Sequence, residues 1–307
     1  MKKKLLIIGG TGFIGYHVAK YAIKKGWKVT SISLKKPKKY RFISKVNYFR
    51  TNISKFNNLK KIIKDKYDYV LNAGGYVNHS KNKKDKKKIF GEHYVGLVNL
   101  TKIFSKKKIK SFVQIGTSTE YGKINIPHQE NIVCKPKTFY SQAKLKATKH
   151  SIKLFKNKGF PITVLRFYLV YGPKQSNNRF IPNIILGCIK NKKFPCSKGD
   201  QMRDICYIDD IVKSIFLSFI KKEASGNIFN IGFGKPIKIK KIIKYINSKV
   251  GKGFPQYGAI KYRKDEVLKY YPNIKKAKSK LGWKPKTSLT EGINKTIKFY
   301  NEKKIKI

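Results

Sequence analysis

The sequence predicts an α/β protein with a doubly wound parallel sheet, followed by a smaller C-terminal α/β region. Three observations carry this prediction. Short apolar runs recur along the first half of the chain, helical periodicity separates them, and a glycine-rich segment joins the first run to the first helix. Strands that alternate with helices form parallel sheets, because each helix returns the chain to the same edge.

The apolar runs define the candidate strands. We expect strands at Leu5–Ile8, Val29–Ser33, Tyr69–Leu71, Phe112–Ile115 and Thr163–Phe167. Short apolar runs bounded by glycine or polar residues are typical of strands buried on both faces. Helices are predicted near 12–25, 91–106 and 140–158, and the basic run 81–88 is expected to be a solvent-exposed loop.

The regular alternation ends near Gly172, after which shorter segments with more proline and glycine follow. We predict that residues 1–172 form the domain with the parallel sheet. Residues 173–307 are predicted to form a smaller substrate-binding region, with part of 203–232 returning to the first domain. A chain of 307 residues is long enough for this division.

The charge of the chain is extreme. Its 72 Lys and Arg residues against 15 Asp and Glu give a formal net charge of +57, which favours nucleic-acid binding as a first hypothesis. Only six of the basic residues are Arg, whereas readers of nucleic acids rely on its bidentate geometry. The abundant Lys, Ile, Asn, Tyr and Phe share A/T-rich codons, so we predict no specific nucleic-acid partner.

Composition and spacing exclude several other classes of protein. A hydrophobic content of 40% is enough for a packed core. No apolar run reaches the ~18 residues that span a bilayer, and the N-terminal run is too short for a signal-peptide core. The four cysteines form no C-x-x-C pair and no metal-ligand spacing. We therefore expect a cytoplasmic protein with reduced thiols, no metal and no membrane contact.

The glycine-rich segment after the first strand carries the first functional signal. Gly9, Gly12 and Gly15 form the pattern G-x-x-G-x-x-G at the start of the first helix. Glycines let main-chain N–H groups approach a pyrophosphate, and a helix N-terminus favours its negative charge. The position predicts a dinucleotide site, with Phe13 and Ile14 among its cofactor-binding residues.

The end of the second strand bears on which dinucleotide binds. A carboxylate there would hold the ribose diol of NAD, but this chain has Ser33, followed by Lys35 and Lys36. An uncharged residue with nearby cations suits the 2′-phosphate of NADP, for which Arg41 is a further candidate ligand. NADP is therefore favoured, and NAD is the alternative.

Tyr140 and Lys144 lie one helical turn apart in a predicted helix. A nearby cation favours the phenolate, which could exchange a proton with a substrate hydroxyl during hydride transfer. The spacing Y-x-x-x-K occurs seven times in the chain, so position selects this pair. Tyr140 follows a strand that ends in the hydroxyl-rich segment 116–122, and we predict that it is the acid/base.

Taken in order, these residues resemble the extended short-chain dehydrogenases, the NAD(P)-dependent epimerase/dehydratase group that acts on sugar nucleotides. The resemblance covers nearly the whole chain and implies a Rossmann domain that carries the cofactor and a smaller C-terminal domain that carries a nucleoside-diphosphate sugar. It also implies a homodimer formed through the helices near 91–106 and 140–158. Beyond the segments above, it includes Asn72–Gly74, Thr117–Gly122, Arg166–Pro173, Arg203–Asp210, Asn230–Gly232, Arg263 and Leu281–Trp283.

The resemblance implies roles for individual residues. Tyr140 matches the catalytic acid/base, and Lys144 matches the residue that tunes it and touches the nicotinamide ribose. Thr117 matches the residue that orients the C4 oxygen of the sugar, with Ser118 beside it. The further cofactor contacts are Asn52, Ile53, Ala73 and Gly74. The further substrate contacts are Arg179, Arg203 and Arg263.

The departures from the family pattern bear on the reaction. Dehydratases of this group carry Asp-Glu directly after the catalytic Thr, whereas this chain has Ser118 and Thr119 there, with Glu120 one residue late. Elimination needs such a carboxylate, so a 4-epimerase or a 4-ketoreductase is favoured. The alternatives are a 4,6-dehydratase and a non-catalytic Rossmann protein that binds a cofactor or nucleic acid. His93 also departs, since many members have Asn at its position.

Overall fold

The computed structural model describes residues 2–75, 82–263 and 266–302. Its strands are β1 (Lys4–Ile8), β2 (Lys28–Ser33), β3 (Val46–Arg50), β4 (Tyr69–Asn72), β5 (Ser111–Thr117), β6 (Ile162–Phe167), β7 (Leu169–Tyr171), β8 (Lys193–Cys196), β9 (Met202–Arg203), β10 (Ile205–Tyr207), β11 (Ile228–Ile231), β12 (Ile237–Lys238), β13 (Phe254–Tyr257) and β14 (Lys269–Tyr270). Its α-helices are α1 (Phe13–Lys24), α2 (Phe56–Ile62), α3 (Lys83–Phe90), α4 (Gly96–Phe104), α5 (Phe139–Lys158), α6 (Phe180–Ile189), α7 (Ile208–Ile220), α8 (Ile239–Val250), α9 (Lys275–Leu281) and α10 (Leu289–Glu302).

Seven strands form one parallel sheet in the order β11-β6-β5-β4-β1-β2-β3. The chain runs outward from β1 to β3 and then returns to the other side of β1 at β4. The strand order therefore reverses between β1 and β4, and such a switch point opens a ligand crevice at the carboxyl ends of the strands. The predicted doubly wound α/β fold is confirmed.

The core lies on both faces of this sheet. Leu5 and Ile7 of β1 belong to one hydrophobic cluster, whereas Leu6 and Ile8 belong to the other. Side chains alternate between the faces of a strand, so an uninterrupted apolar run is buried only where helices cover both faces.

Every predicted strand lies in the sheet within two residues of its expected bounds. Strand β3 was not predicted, because this edge strand buries only Val46 and exposes most of its other side chains. Within segment 203–232, α7 packs against α1 and β5, and β11 is the outermost strand beside β6. The division of the chain at residue 172 stays a prediction.

The basic run 81–88 is mostly helical, so the prediction of a loop was wrong. Residue 81 lies outside the described residues, and α3 begins at Lys83. Asn82 caps this helix, because its side-chain oxygen accepts a hydrogen bond from the Lys84 main-chain nitrogen at 3.0 Å. The buried Ile89 anchors the helix against Tyr140, while its lysines remain in solvent.

The C-terminal half adds small sheets beside the carboxyl ends of the main strands. One of them has the order β12-β9-β14 and pairs Arg203 with Tyr270, so it brings two distant chain segments to one place. In the described ranges, no helix combines the length and the apolar character needed to cross a membrane.

Candidate active site

The loop after β1 packs against the loop after β4 at the switch point. Gly9 has a φ of +82°, and a Cβ on it would lie 2.6 Å from the carbonyl oxygen of Ala73. A Cβ on Gly15 would lie 2.3 Å from the carbonyl oxygen of Gly9. The two glycines therefore allow α1 and the loop after β4 to approach the first strand.

The N-terminus of α1 fits a pyrophosphate. Gly12 is its N-cap and offers no side chain to the first-turn N–H groups, and no acidic residue lies in that turn. Phe13 and Ile14 form the start of the helix, where main-chain N–H groups lack intrahelical partners and attract an anion.

Ser33 lies at the end of β2, and its hydroxyl accepts a hydrogen bond from the Thr11 main-chain nitrogen at 3.4 Å. Lys35 and Lys36 beyond it are exposed. Arg41 is buried, and its Nε donates to the carbonyl oxygen of Lys174 at 3.0 Å. Its guanidinium is thus engaged by a main-chain group.

The four remaining predicted cofactor residues line the loops after β3 and β4. The Ala73 N–H donates to the carbonyl oxygen of Ile8 at 3.0 Å, which holds its loop against β1. The buried Ile53 side chain fills the space beside Gly74. The Asn52 side-chain oxygen accepts a hydrogen bond from the main-chain nitrogen two residues later, at 2.9 Å.

The structure brings Thr117, Tyr140 and Lys144 together at the end of β5. Tyr140 lies in the first turn of α5, and its phenol interacts with the side chain of Thr117, which acts to lower the phenol pKa. Lys144 is buried one turn later, and its Nζ donates to the carbonyl oxygen of Ile115 at 3.0 Å. A strand end and a helix N-terminus therefore hold these three side chains.

Burial determines the charge states of this pair. It raises the pKa of Tyr140 to about 12, although the Thr117 side chain and the charge of Arg179 act in the opposite direction. Burial also lowers the pKa of Lys144 to about 8, and the carboxylate of Glu120 acts against this shift. Tyr140 thus keeps its proton at neutral pH, and a further cation beside it would lower its pKa.

Glu120 supports the end of β5 from inside the protein. Its side chain is fully buried, and its Oε1 accepts a hydrogen bond from the Thr117 main-chain nitrogen at 2.9 Å. Its Oε2 accepts hydrogen bonds from the Thr148 hydroxyl at 2.8 Å and from Arg166 Nε at 2.9 Å. The carboxylate is thus engaged on both oxygens and does not reach solvent.

A cavity of about 620 Å³ lies beside this end of β5 and includes Ser118, Arg203 and Arg263 in its lining. The carbonyl oxygen of Ser118 accepts a hydrogen bond from the Tyr270 hydroxyl at 2.5 Å. Arg203 forms an ion pair with Glu266. Three of the four predicted substrate residues therefore share one cavity.

Arg179, the fourth predicted substrate residue, is the exposed N-cap of α6. Two residues of the cavity lining, Glu266 and Tyr270, were not predicted from the sequence. Glu266 could have been noticed, since only 15 residues of the chain are acidic; one Tyr among 19 gives no such signal. Within the described part of the chain, no cluster of three or more His, Cys, Asp or Glu side chains could hold a metal.

Comparisons with known proteins agree with this architecture. The sequence model of the NAD dependent epimerase/dehydratase family matches residues 5–232. The UDP-glucuronate 4-epimerase of Thermodesulfobacterium geofontis is 26% identical over 318 residues, which cover 97% of this chain and 96% of that protein. The CDP-abequose synthase of Salmonella muenchen is 25% identical over 304 residues, covering 97% and 98%. The UDP-glucose 4-epimerase of Thermotoga maritima, solved with UDP-glucose, has a TM-score of 0.91 at 25% identity, covering 98% and 99%.

Proposed function

The chain belongs to the NAD-dependent epimerase/dehydratase family, and we propose that it transfers a hydride between a nicotinamide cofactor and C4 of a nucleoside-diphosphate hexose. The reaction would be a 4-epimerisation or a 4-ketoreduction. The observation that carries the proposal is the convergence of Thr117, Tyr140 and Lys144 beside the switch point. Two of the compared relatives are named as 4-epimerases of UDP-sugars.

Each of these side chains has a distinct task in the reaction. The Tyr140 phenol gives its proton to the C4 oxygen of a 4-keto sugar, and its phenolate takes that proton back when the sugar is oxidised. The Thr117 hydroxyl holds the same oxygen, and Lys144 stabilises the phenolate that forms. The cofactor, when bound, donates a hydride to C4 or accepts one from it.

The binding residues extend from the switch point in two directions. The open N-terminus of α1 would take the cofactor pyrophosphate, and Ser33 would face the adenosine ribose. On the other side, Arg203 and Arg263 would bind the substrate diphosphate, since guanidinium groups bind phosphate oxygens bidentately. We also propose that the protein is a homodimer in the cytoplasm.

The position of Glu120 supports a 4-epimerase or a 4-ketoreductase over a 4,6-dehydratase. An elimination needs a carboxylate that reaches the sugar and exchanges a proton with it. The Glu120 carboxylate is fully buried and engaged with Thr117, Thr148 and Arg166. The places that carry Asp and Glu in dehydratases hold Ser118 and Thr119 in this chain.

The Arg203→Lys variant is expected to raise the substrate KM by about 10- to 100-fold, because a hydrogen bond to a charged group contributes roughly 1.5–3 kcal/mol. The kcat should stay within about threefold, since the diphosphate is bound equally in the ground and transition states. Steady-state kinetics measure both quantities. The control is Arg50→Lys, an exposed position at the end of β3, which should leave the substrate KM unchanged. An unchanged KM in Arg203→Lys would remove this residue from the binding site.

Cofactor choice has a separate test. We propose NADP as the preferred cofactor, so Ser33→Asp is expected to change the ratio of kcat/KM for NADPH and NADH at least tenfold towards NADH. The introduced carboxylate would repel the 2′-phosphate and accept hydrogen bonds from the free ribose diol. The control Ser279→Asp makes the same change on the exposed surface of α9 and should leave the ratio unchanged. A wild type that prefers NADH would contradict the NADP assignment.

A further inference from the structure

His93 lies against the proposed acid/base. It belongs to a π-helical turn, Gly91–Val95, that joins α3 to α4, and its side chain is 3% exposed. The centroid of its imidazole lies 5.0 Å from that of the Tyr140 phenol, with the ring planes at 84°. Aromatic rings attract each other in this edge-to-face arrangement.

Gly75 fits the other side of the imidazole. A Cβ on Gly75 would lie 2.2 Å from His93 Cε1 and 2.5 Å from Nδ1, and the φ of Gly75 is +92°. Both the backbone conformation and the space therefore require glycine at this place. Gly75 directly follows Gly74 in the loop after β4. The imidazole thus lies between the cofactor loop and the phenol.

Apolar side chains and the His93 ring together surround the phenol of Tyr140. Ile89 of α3 and Ala143 of α5 complete the apolar cluster around the phenol. These aliphatic side chains pack against the ring, and His93 adds an edge-on contact at right angles to it. The Tyr140 side chain must at the same time meet that of Thr117. A displacement of the reacting group by about 1 Å can lower the rate about 100-fold.

We propose that His93 is a positioning residue for Tyr140: its ring holds the phenol in the orientation that reaches the C4 oxygen. The inference rests on the proposed function and deepens it. The contact acts through the shape of the ring, so a phenylalanine at this position should preserve it. If an imidazole nitrogen instead exchanged a proton during the reaction, a phenylalanine at this position would abolish that role, because its ring cannot carry the proton.

The experiment compares His93→Phe with His93→Asn in steady-state kinetics on the nucleotide sugar that the wild type converts. We expect His93→Asn to lose about 10- to 100-fold in kcat with KM within twofold, and His93→Phe to keep at least a third of wild-type kcat. His93→Asn with wild-type kcat would overturn the proposal, as would a His93→Phe variant as slow as His93→Asn.

A matched control lies on the same helix as Tyr140. His150 of α5 contacts Tyr94 with ring centroids 6.1 Å apart and planes at 88°. His150 lies ten residues, or about 15 Å along the helix, from Tyr140. His150→Asn removes the same kind of ring pair away from the phenol and should leave kcat unchanged. A loss equal to that of His93→Asn would show a general structural effect and overturn the positioning role.

A second measurement does not depend on turnover. Midpoints of thermal unfolding are compared for His93→Leu, Tyr140→Leu and the double variant. If the two rings stabilise each other, the unfolding midpoint of the double variant falls by less than the sum of the two single decreases. Additive decreases would show that the rings do not interact and would overturn the proposal. A wild type that converts no nucleotide sugar would refute the proposed function instead, and the two failures are therefore distinguishable.

Discussion

Replacing Tyr140 by Phe is expected to lower kcat by about 100- to 10,000-fold, the range that general acid–base catalysis contributes. The substitution keeps the ring, and with it the contacts to His93 and to the apolar cluster. It removes the hydroxyl that interacts with the Thr117 side chain. The unfolding midpoint and the affinity for the cofactor should therefore stay close to those of the wild type, while turnover is lost.

A matched control for this variant lies on α8. Tyr245 also precedes a lysine by four residues, Lys249, and its hydroxyl donates to the side-chain oxygen of Asn294 in an exposed hydrogen bond of 3.0 Å. Tyr245→Phe should keep kcat within twofold. If Tyr140→Phe keeps more than a third of the wild-type kcat, the phenol is not the acid/base.

Replacing Arg166 by Met is expected to reduce the free energy of unfolding by about 3–5 kcal/mol, the usual cost of removing one partner of a buried ion pair. Glu120 would remain fully buried without its cation. The loss would also remove the guanidinium that lies 4.5 Å from the centroid of the Tyr121 ring. Chemical denaturation followed by circular dichroism measures the change.

The control for Arg166→Met is an ion pair in solvent. Lys295 and Glu291 form a contact of 2.6 Å, with side chains about half exposed at 50% and 49%. Exposed pairs of this kind contribute at most about 1 kcal/mol, so Lys295→Met should change stability by less than that amount. An equally small effect of Arg166→Met would show that the buried pair does not stabilise the end of β5.

The fold was predictable where a local pattern determines an element. The apolar run Leu5–Ile8 predicts a strand covered on both faces, and the following glycines predict the turn into α1. The edge strand Val46–Arg50 escaped prediction, because its mixed pattern depends on a neighbour in β2 that lies elsewhere in the sequence. Helix α3 was not predicted, because in a run of lysines its only helical signals are one buried residue, Ile89, and an Asn cap.

The site was predictable to a similar extent. The order of motifs predicts Tyr140, Lys144 and Thr117 as catalytic residues, and the structure brings their side chains to one place. Contacts between distant segments were not visible in the sequence. Arg41 is bound to the carbonyl oxygen of residue 174, and Glu120 supports Thr117 rather than facing the cavity. A residue type and its position along the chain do not show which partner a side chain meets after folding.

The most direct measurement of the central claim follows the configuration of C4 by NMR. Wild type and Tyr140→Phe are incubated with UDP- and dTDP-hexoses and with their 4-keto forms, each with and without NADPH. We expect the wild type to change the configuration or oxidation state of C4, and Tyr140→Phe to leave it unchanged. The product is either the 4-epimer without net use of NADPH or the 4-hydroxy sugar with consumption of NADPH. Formation of a 4-keto-6-deoxy sugar would contradict the proposed function. A wild type that converts no sugar and instead binds RNA in a salt-dependent manner would also contradict it.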